Sequence, residues 1–167
     1  MLTSHELIGF VSPGLASDIL AFTFESDKPT YKATLAAVAQ ARHLRPVFLE
    51  RQPRAQRDAL MLATLTRPAL ETMAGNLIRA WLVKKHKAML VDFLTTLGIE
   101  HKDGVVDDLP PTVGDAELKQ AVDALLTRHP PEAVAVYLNA FNDMNEANWP
   151  NLKTMLESDA RLQLGEH

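Results

Sequence analysis

Five arginines crowd into residues 42–57: Arg42, Arg45, Arg51, Arg54 and Arg57, with Glu50 the one acid among them. A guanidinium is a planar fork that grips phosphate or carboxylate at two points. Arg51, Arg54 and Arg57 recur at spacing three, which sets them on one helical face if the turn survives Pro53 between them. Lys84, Lys85 and Lys87 form a second basic cluster. Together these groups describe an anion-binding face for a phosphate-bearing ligand or a nucleic-acid backbone. The competing reading is a solvated surface, or ion pairs with acidic residues of the same or a neighbouring chain. Charge favours the competitor, because the chain carries a net −4 whereas nucleic-acid domains are usually basic. No aromatic residues interleave with the lysines to stack single-stranded bases.

Other reactive constellations fail on spacing. Asn139, Asn142, Asp143, Asn145, Glu146 and Asn148 crowd oxygen ligands into ten residues, but a calcium loop wants alternating ligands, a glycine at the sixth position and a glutamate at the twelfth. Helix-end chemistry explains these residues better, since Asn and Asp satisfy orphan backbone groups and tolerate left-handed turns. The six histidines never pair at spacing three or four and no Glu-x-x-His occurs, which removes the di-iron bundle pattern. A catalytic reading would need His43 or His101 to meet a carboxylate in a pocket. There is no Gly-x-Ser-x-Gly, no phosphate-cradling glycine loop and no cysteine, so nucleophile elbows, thiol chemistry, disulfides and thiolate metal sites are all excluded. The sequence gives no reason to expect a metal or cofactor, and leans away from an enzyme.

The aromatic residues raise one question of placement. Trp81, Tyr137 and Phe141 fall on apolar helical stripes and read as core. Trp149 lies between Asn148 and Pro150 in a polar stretch. It either plugs the core beneath that stretch, the preferred reading, or anchors a partner.

These residues must be positioned by helices, because the apolar spacing is helical almost throughout and period-2 alternation is hard to find. Ser12-Pro13 marks a cap and first-turn proline for a helix bearing Leu15, Ile19 and Phe22. Ser26–Pro29 reads as a connector, and Thr30 to about Arg42 as the next helix. Pro46, Pro53 and Pro68 allow only short helices near 46–51 and 54–65. Leu70 to Leu97 carries a broad stripe compatible with one long helix or with two broken at Lys84–Lys87. Gly98 is a left-handed stop. After residues 99–114, rich in Pro, Gly and acids, Asp115 can cap a helix with Leu118, Ala121, Val122, Leu125 and Leu126 inward. Two more helices follow Pro131 and Pro150, separated by a polar turn at Asn142–Asn148. No repeat of tetratricopeptide or HEAT period can be aligned.

The expected fold is therefore all-α, an orthogonal or bundle-like domain of about seven to nine helices. Residues 1–98 form an N-terminal part, 99–114 a linker and 115–167 a C-terminal three-helix unit. Charge follows the same division: residues 1–99 carry a balance of +4 and residues 100–167 a balance of −8. Such sorting speaks to association rather than to fold. With no membrane-length apolar run and no secretory leader pattern, a cytoplasmic location is expected. The function expected from these features is a protein–protein interaction or scaffolding module, with self-association as a homo-oligomer through the complementary charges. Phosphate or nucleic-acid binding through residues 42–57 is the alternative.

Overall fold

The computed structural model describes residues 1–165. Among them are ten α-helices and no strand, so the chain is all-α. It divides into two units, Leu2–Trp81 and a second from Leu82 onward, the division falling inside a helix. No helix among the described residues is long and apolar enough to cross a membrane.

The N-terminal unit begins with α1 (Ser4–Phe10), whose first amides are satisfied from both sides. The Thr3 N–H donates to Glu6 Oε2 at 2.8 Å. The Ser4 and His5 N–H groups donate to Glu71 at 2.9 and 2.8 Å. In α2 (Pro13–Ser26), Ser12 Oγ accepts from the Leu15 N–H, the cap expected from Ser12-Pro13. The expected connector at Ser26–Pro29 shrinks to one residue. Asp27 closes α2 through its N–H and opens α3 (Lys28–Ala41) by accepting from the Thr30 N–H and hydroxyl. The prolines confine α4 to Pro46–Glu50 and set the start of α5 (Arg54–Leu65), as their spacing implies. A 3₁₀ turn at Pro68–Leu70 then leads into α6 (Glu71–Lys85). Helices α3 and α5 pack against each other and share α2 as a neighbour, with α4 on α3 and α1 on α5. Leu20, Leu35, Val38, Leu49, Met61 and Leu65 are almost wholly buried.

The long stripe from Leu70 to Leu97 is two helices. His86 separates α6 from α7 (Lys87–Thr96), and Gly98 ends the run at φ +70°. In the second unit, α7 packs on α8 (Asp115–Arg128), which packs on α9 (Pro131–Asn145), and α10 (Pro150–Ser158) also packs on α9. The C-terminal helices thus recruit α7 as a fourth. The reason lies in its inner face, where Met89, Leu90, Phe93 and Leu94 are all buried. Packing divides the chain earlier than charge does. Helix α8 starts one residue from expectation, with Gly114 at the cap position and Asp115 inside the first turn, where a carboxylate suits the positive helix end.

Every residue of α9 from Ala133 to Phe141 is buried, and all but Asn139 are apolar or aromatic, so this stretch forms the centre of its unit. Phe93, Tyr137 and Phe141 meet edge-to-face at centroid distances of 5.4–5.7 Å, and Trp149 leans on Phe141 at 4.9 Å. Helix α9 runs to Asn145, past the polar turn expected from Asn142, and ends with Glu146 left-handed at φ +54°. The asparagines serve the helix: Asn139 and Asn145 each donate to the carbonyl four residues back.

Residues 99–114 hold no helix, yet they do not hang free as a linker. The Trp149 indole N–H donates to the Pro110 carbonyl at 3.0 Å, and Asn151 Nδ2 to the Val113 carbonyl at 2.8 Å.

Candidate functional site

The arginine cluster splits when the chain folds. Arg42 turns back at the end of α3 and donates from Nε to Thr64 Oγ1 at 2.8 Å. Arg54 lies with its guanidinium 4.0 Å over the Phe24 ring and its Nε 3.4 Å from Asp58 Oδ2. Arg57 is nearly buried, 5.5 Å from the centroids of both Phe24 and Tyr31, and donates to the Glu50 carbonyl at 3.2 Å. The Tyr31 hydroxyl completes this cluster by donating to Asp58 Oδ1 at 3.2 Å. Burial, then the Asp58 carboxylate, pushes the Tyr31 phenol up to about 12, although Arg57 stands close. Each cation–ring contact is worth about 0.5–1 kcal/mol where exposed and more where desolvated. Arg42, Arg54 and Arg57 therefore hold α2, α3 and α5 together.

Arg45 and Arg51 are different. Both are exposed, and among the described residues neither side chain has a hydrogen-bond or ion-pair partner. They bracket α4, whose inward residue Leu49 is fully buried while Val47 and Phe48 are 52% and 54% exposed. Val47 and Arg51 are four apart and Phe48 and Arg51 three apart, so the three side chains are neighbours on the outer face. Sequence reasoning chose the arginines and passed over this apolar pair. A signal was present: a helix bounded by Pro46 and Pro53 has one turn and can bury one side of it, which leaves the remaining apolar residues in water.

The other expected site residues lie elsewhere. Lys84 and Lys85 are exposed in the last turn of α6, and Lys87, at the start of α7, sits 3.9 Å from Asp103. All three belong to the second unit, whereas the arginines belong to the first. Trp149 is 1% exposed. Of the two readings of Trp149, burial agrees with the preferred one, a plug of the core, and leaves no exposed ring to anchor a partner: the ring fills the space beside Phe141 and its N–H donates to the Pro110 carbonyl.

Among the described residues, the histidines named as catalytic candidates do not meet carboxylates. His43 is exposed in a left-handed turn at φ +56°. His101 contacts Thr95 Oγ1 and accepts from the Gly104 N–H. Two other histidines do meet acids, His5 with Glu71 and His129 with Asp92, the latter at 2.8 Å. Burial pushes the Glu71 carboxyl up, but hydrogen bonds from the His5 backbone and ring and from the Ser4 N–H outweigh it and hold the group below the usual carboxylate range. That pair serves as the cap of α1. No group of three or more metal-ligating side chains occurs among the described residues.

A cavity of about 490 Å³ in the second unit is lined by Leu118, Lys119, Asn151, Met155, Asp159 and Arg161. Its basic groups are already matched, and Asp115 on its wall accepts from Asn151 Nδ2 at 3.0 Å. Lys119 donates to Asp123 at 2.7 Å, and Arg161 to Asp123 and Asp159 at 2.8 and 2.7 Å. Lys119 and then Arg161 hold Asp123 below the usual carboxylate range, and Arg161 does the same for Asp159.

No protein-family model, curated protein or solved structure matches this chain significantly. The candidate site accordingly rests on its own geometry. It is the outward face of α4: Arg45, Val47, Phe48 and Arg51.

Proposed function

We propose that the chain is a protein-interaction module whose docking surface is the outer face of α4. The observation carrying this reading is the pair Val47–Phe48, more than half exposed and bracketed by two exposed arginines without hydrogen-bond or ion-pair partners among the described residues. An exposed aromatic next to arginine is the composition of interface hot spots, where a ring fills a partner's pocket and a guanidinium meets a carboxylate. Engagement of Arg42, Arg54 and Arg57 inside the fold supports a protein partner over a nucleic acid. Two open arginines neutralise few phosphates, and the affinity of a phosphate-tracking surface rises with the number neutralised.

A photo-crosslinking residue at position 48 tests the reading in the native cell. The expected result is covalent adducts to acidic protein segments, lost when Arg45→Glu and Arg51→Glu are introduced and retained when the probe's neighbour Gln52 is changed to Ala. Nuclease-sensitive adducts, or no adducts, would overturn it.

A further inference from the structure

Four large apolar side chains are exposed among the described residues: Phe10, Val47, Phe48 and Val105. Val47 and Phe48 form the α4 patch. Val105, 40% exposed, sits at the other pole of the charge distribution, in the segment that carries Glu100, Asp103, Asp107 and Asp108, all exposed, against one exposed lysine, Lys102. Val47, Phe48 and Val105 each keep 40% or more of their surface open to solvent, which leaves apolar area for a partner to cover.

The Val105 segment is a built feature rather than a loose loop. Lys102 and Val105 exchange both backbone hydrogen bonds, at 2.9 and 3.0 Å, around Asp103 and Gly104, which take φ of +53° and +84°. Positive φ at both central residues is the type I′ geometry, for which Asp-Gly is a preferred pair. A side chain at Gly104 would come within 2.7 Å of Leu90 Cβ, so the turn lies directly against α7. The His101 ring accepts from the Gly104 N–H and braces it. The result is an acidic tongue with one apolar side chain on it, already held in shape before any partner arrives. Preorganisation of this kind lowers the cost of association.

Building on the α4 reading, we infer that the partner of the α4 face is a second copy of this chain, which inserts its 100–108 acidic turn so that Val105 covers Val47 and Phe48. Asp107 and Asp108 of that copy then face Arg45 and Arg51, while Asp103 stays beside its own Lys87 at 3.9 Å. Opposite charge selects the orientation and speeds the encounter, while the apolar contact supplies the affinity. The two surfaces are different patches of one chain, so the contact is either reciprocal, an isologous pair in which each copy gives both patches, or heterologous, closing into a ring or growing end to end. A patch of this size belongs with weak, transient contacts.

Sedimentation velocity of the full chain tests the inference with three proteins. Wild type should gain mass with concentration, up to about 1 mM, and lose it as salt screens the charges. Phe48→Asp, with a ruined α4 face, and Val105→Asp, with a ruined turn, should each weaken association at least about tenfold, as loss of a hot-spot side chain does. Far-ultraviolet circular dichroism and melting curves confirm that both variants fold. The decisive arm mixes them: each retains the surface the other lacks, so the mixture should form 1:1 dimers and nothing larger. A wild type that stays monomeric throughout, or single variants that associate like wild type, would overturn the inference. Should the wild type be monomeric while position 48 still crosslinks to other proteins, the second copy is the wrong partner and the α4 docking surface stands; if position 48 also crosslinks to nothing, both readings fall.

Discussion

Phe48 and Trp149 occupy similar local sequences and end in opposite surroundings. Both lie close to a proline that starts a short helix: Phe48 two residues after Pro46 within α4, and Trp149 at the cap position directly before Pro150 of α10. Phe48 is 54% exposed and Trp149 1%. The difference comes from what reaches over them. Residues 99–114 run past Trp149, and the Pro110 carbonyl takes its indole proton, so both the ring and its polar edge are satisfied. Among the described residues of its own unit no such segment covers α4, and a five-residue helix buries one side chain, Leu49, and leaves its neighbours outside. An aromatic beside a helix-starting proline is therefore core or surface according to a segment dozens of residues away.

The largest test of this contrast is Trp149→Ala. Removing a fully buried indole leaves a cavity beside Phe141 and an unpaired carbonyl at Pro110, and should cost about 3–5 kcal/mol. Denaturant melts followed by circular dichroism measure it, and a loss below about 1 kcal/mol would mean that the indole is not what fastens 99–114 to its unit.

An intermediate case is Tyr31, buried beneath Arg57 with its hydroxyl on Asp58. Tyr31→Phe should cost about 1 kcal/mol at neutral pH, the net worth of one hydrogen bond. The folded phenol titrates near 12 against an ordinary 10. The protonated form is thus favoured by folding, and its stabilisation is complete below pH 10 and lost as pH rises towards 12. Between those values wild type should lose stability faster than Tyr31→Phe. Parallel curves would show that Tyr31 ionises without hindrance.

The smallest expected effect is that of Phe48→Ala on folding. An exposed side chain contributes little, and the change should stay within about 0.5 kcal/mol. A larger loss in the same melts would mean that Phe48 is covered within the chain, which would remove the docking surface.

Much of the helical scaffold was legible because its signals are local. Ser12 with Pro13, the prolines at 46 and 53, and left-handed Gly98 act through bonds to residues within one turn, and each appears where its chemistry places it. The candidate site was only half legible. Arg45 and Arg51 stood out by type, but nothing local distinguished them from Arg42, Arg54 and Arg57, whose partners Thr64, Phe24 and Tyr31 lie on other helices or further along the chain. The cap of α1 by Glu71 spans more than sixty residues and leaves no pattern at either end.

The sequence by itself determined an all-α chain, most of the helix limits and the opposed charge balance of residues 1–99 and 100–167, because periodicity, proline, glycine and charge act locally or by simple sum. Only the tertiary structure decided which arginines remain open, which aromatic is buried, and that packing breaks at Trp81 and Leu82 while charge changes sign after Gly98. Burial depends on which distant segments pack together, whereas charge order along a chain places no constraint on which apolar faces meet.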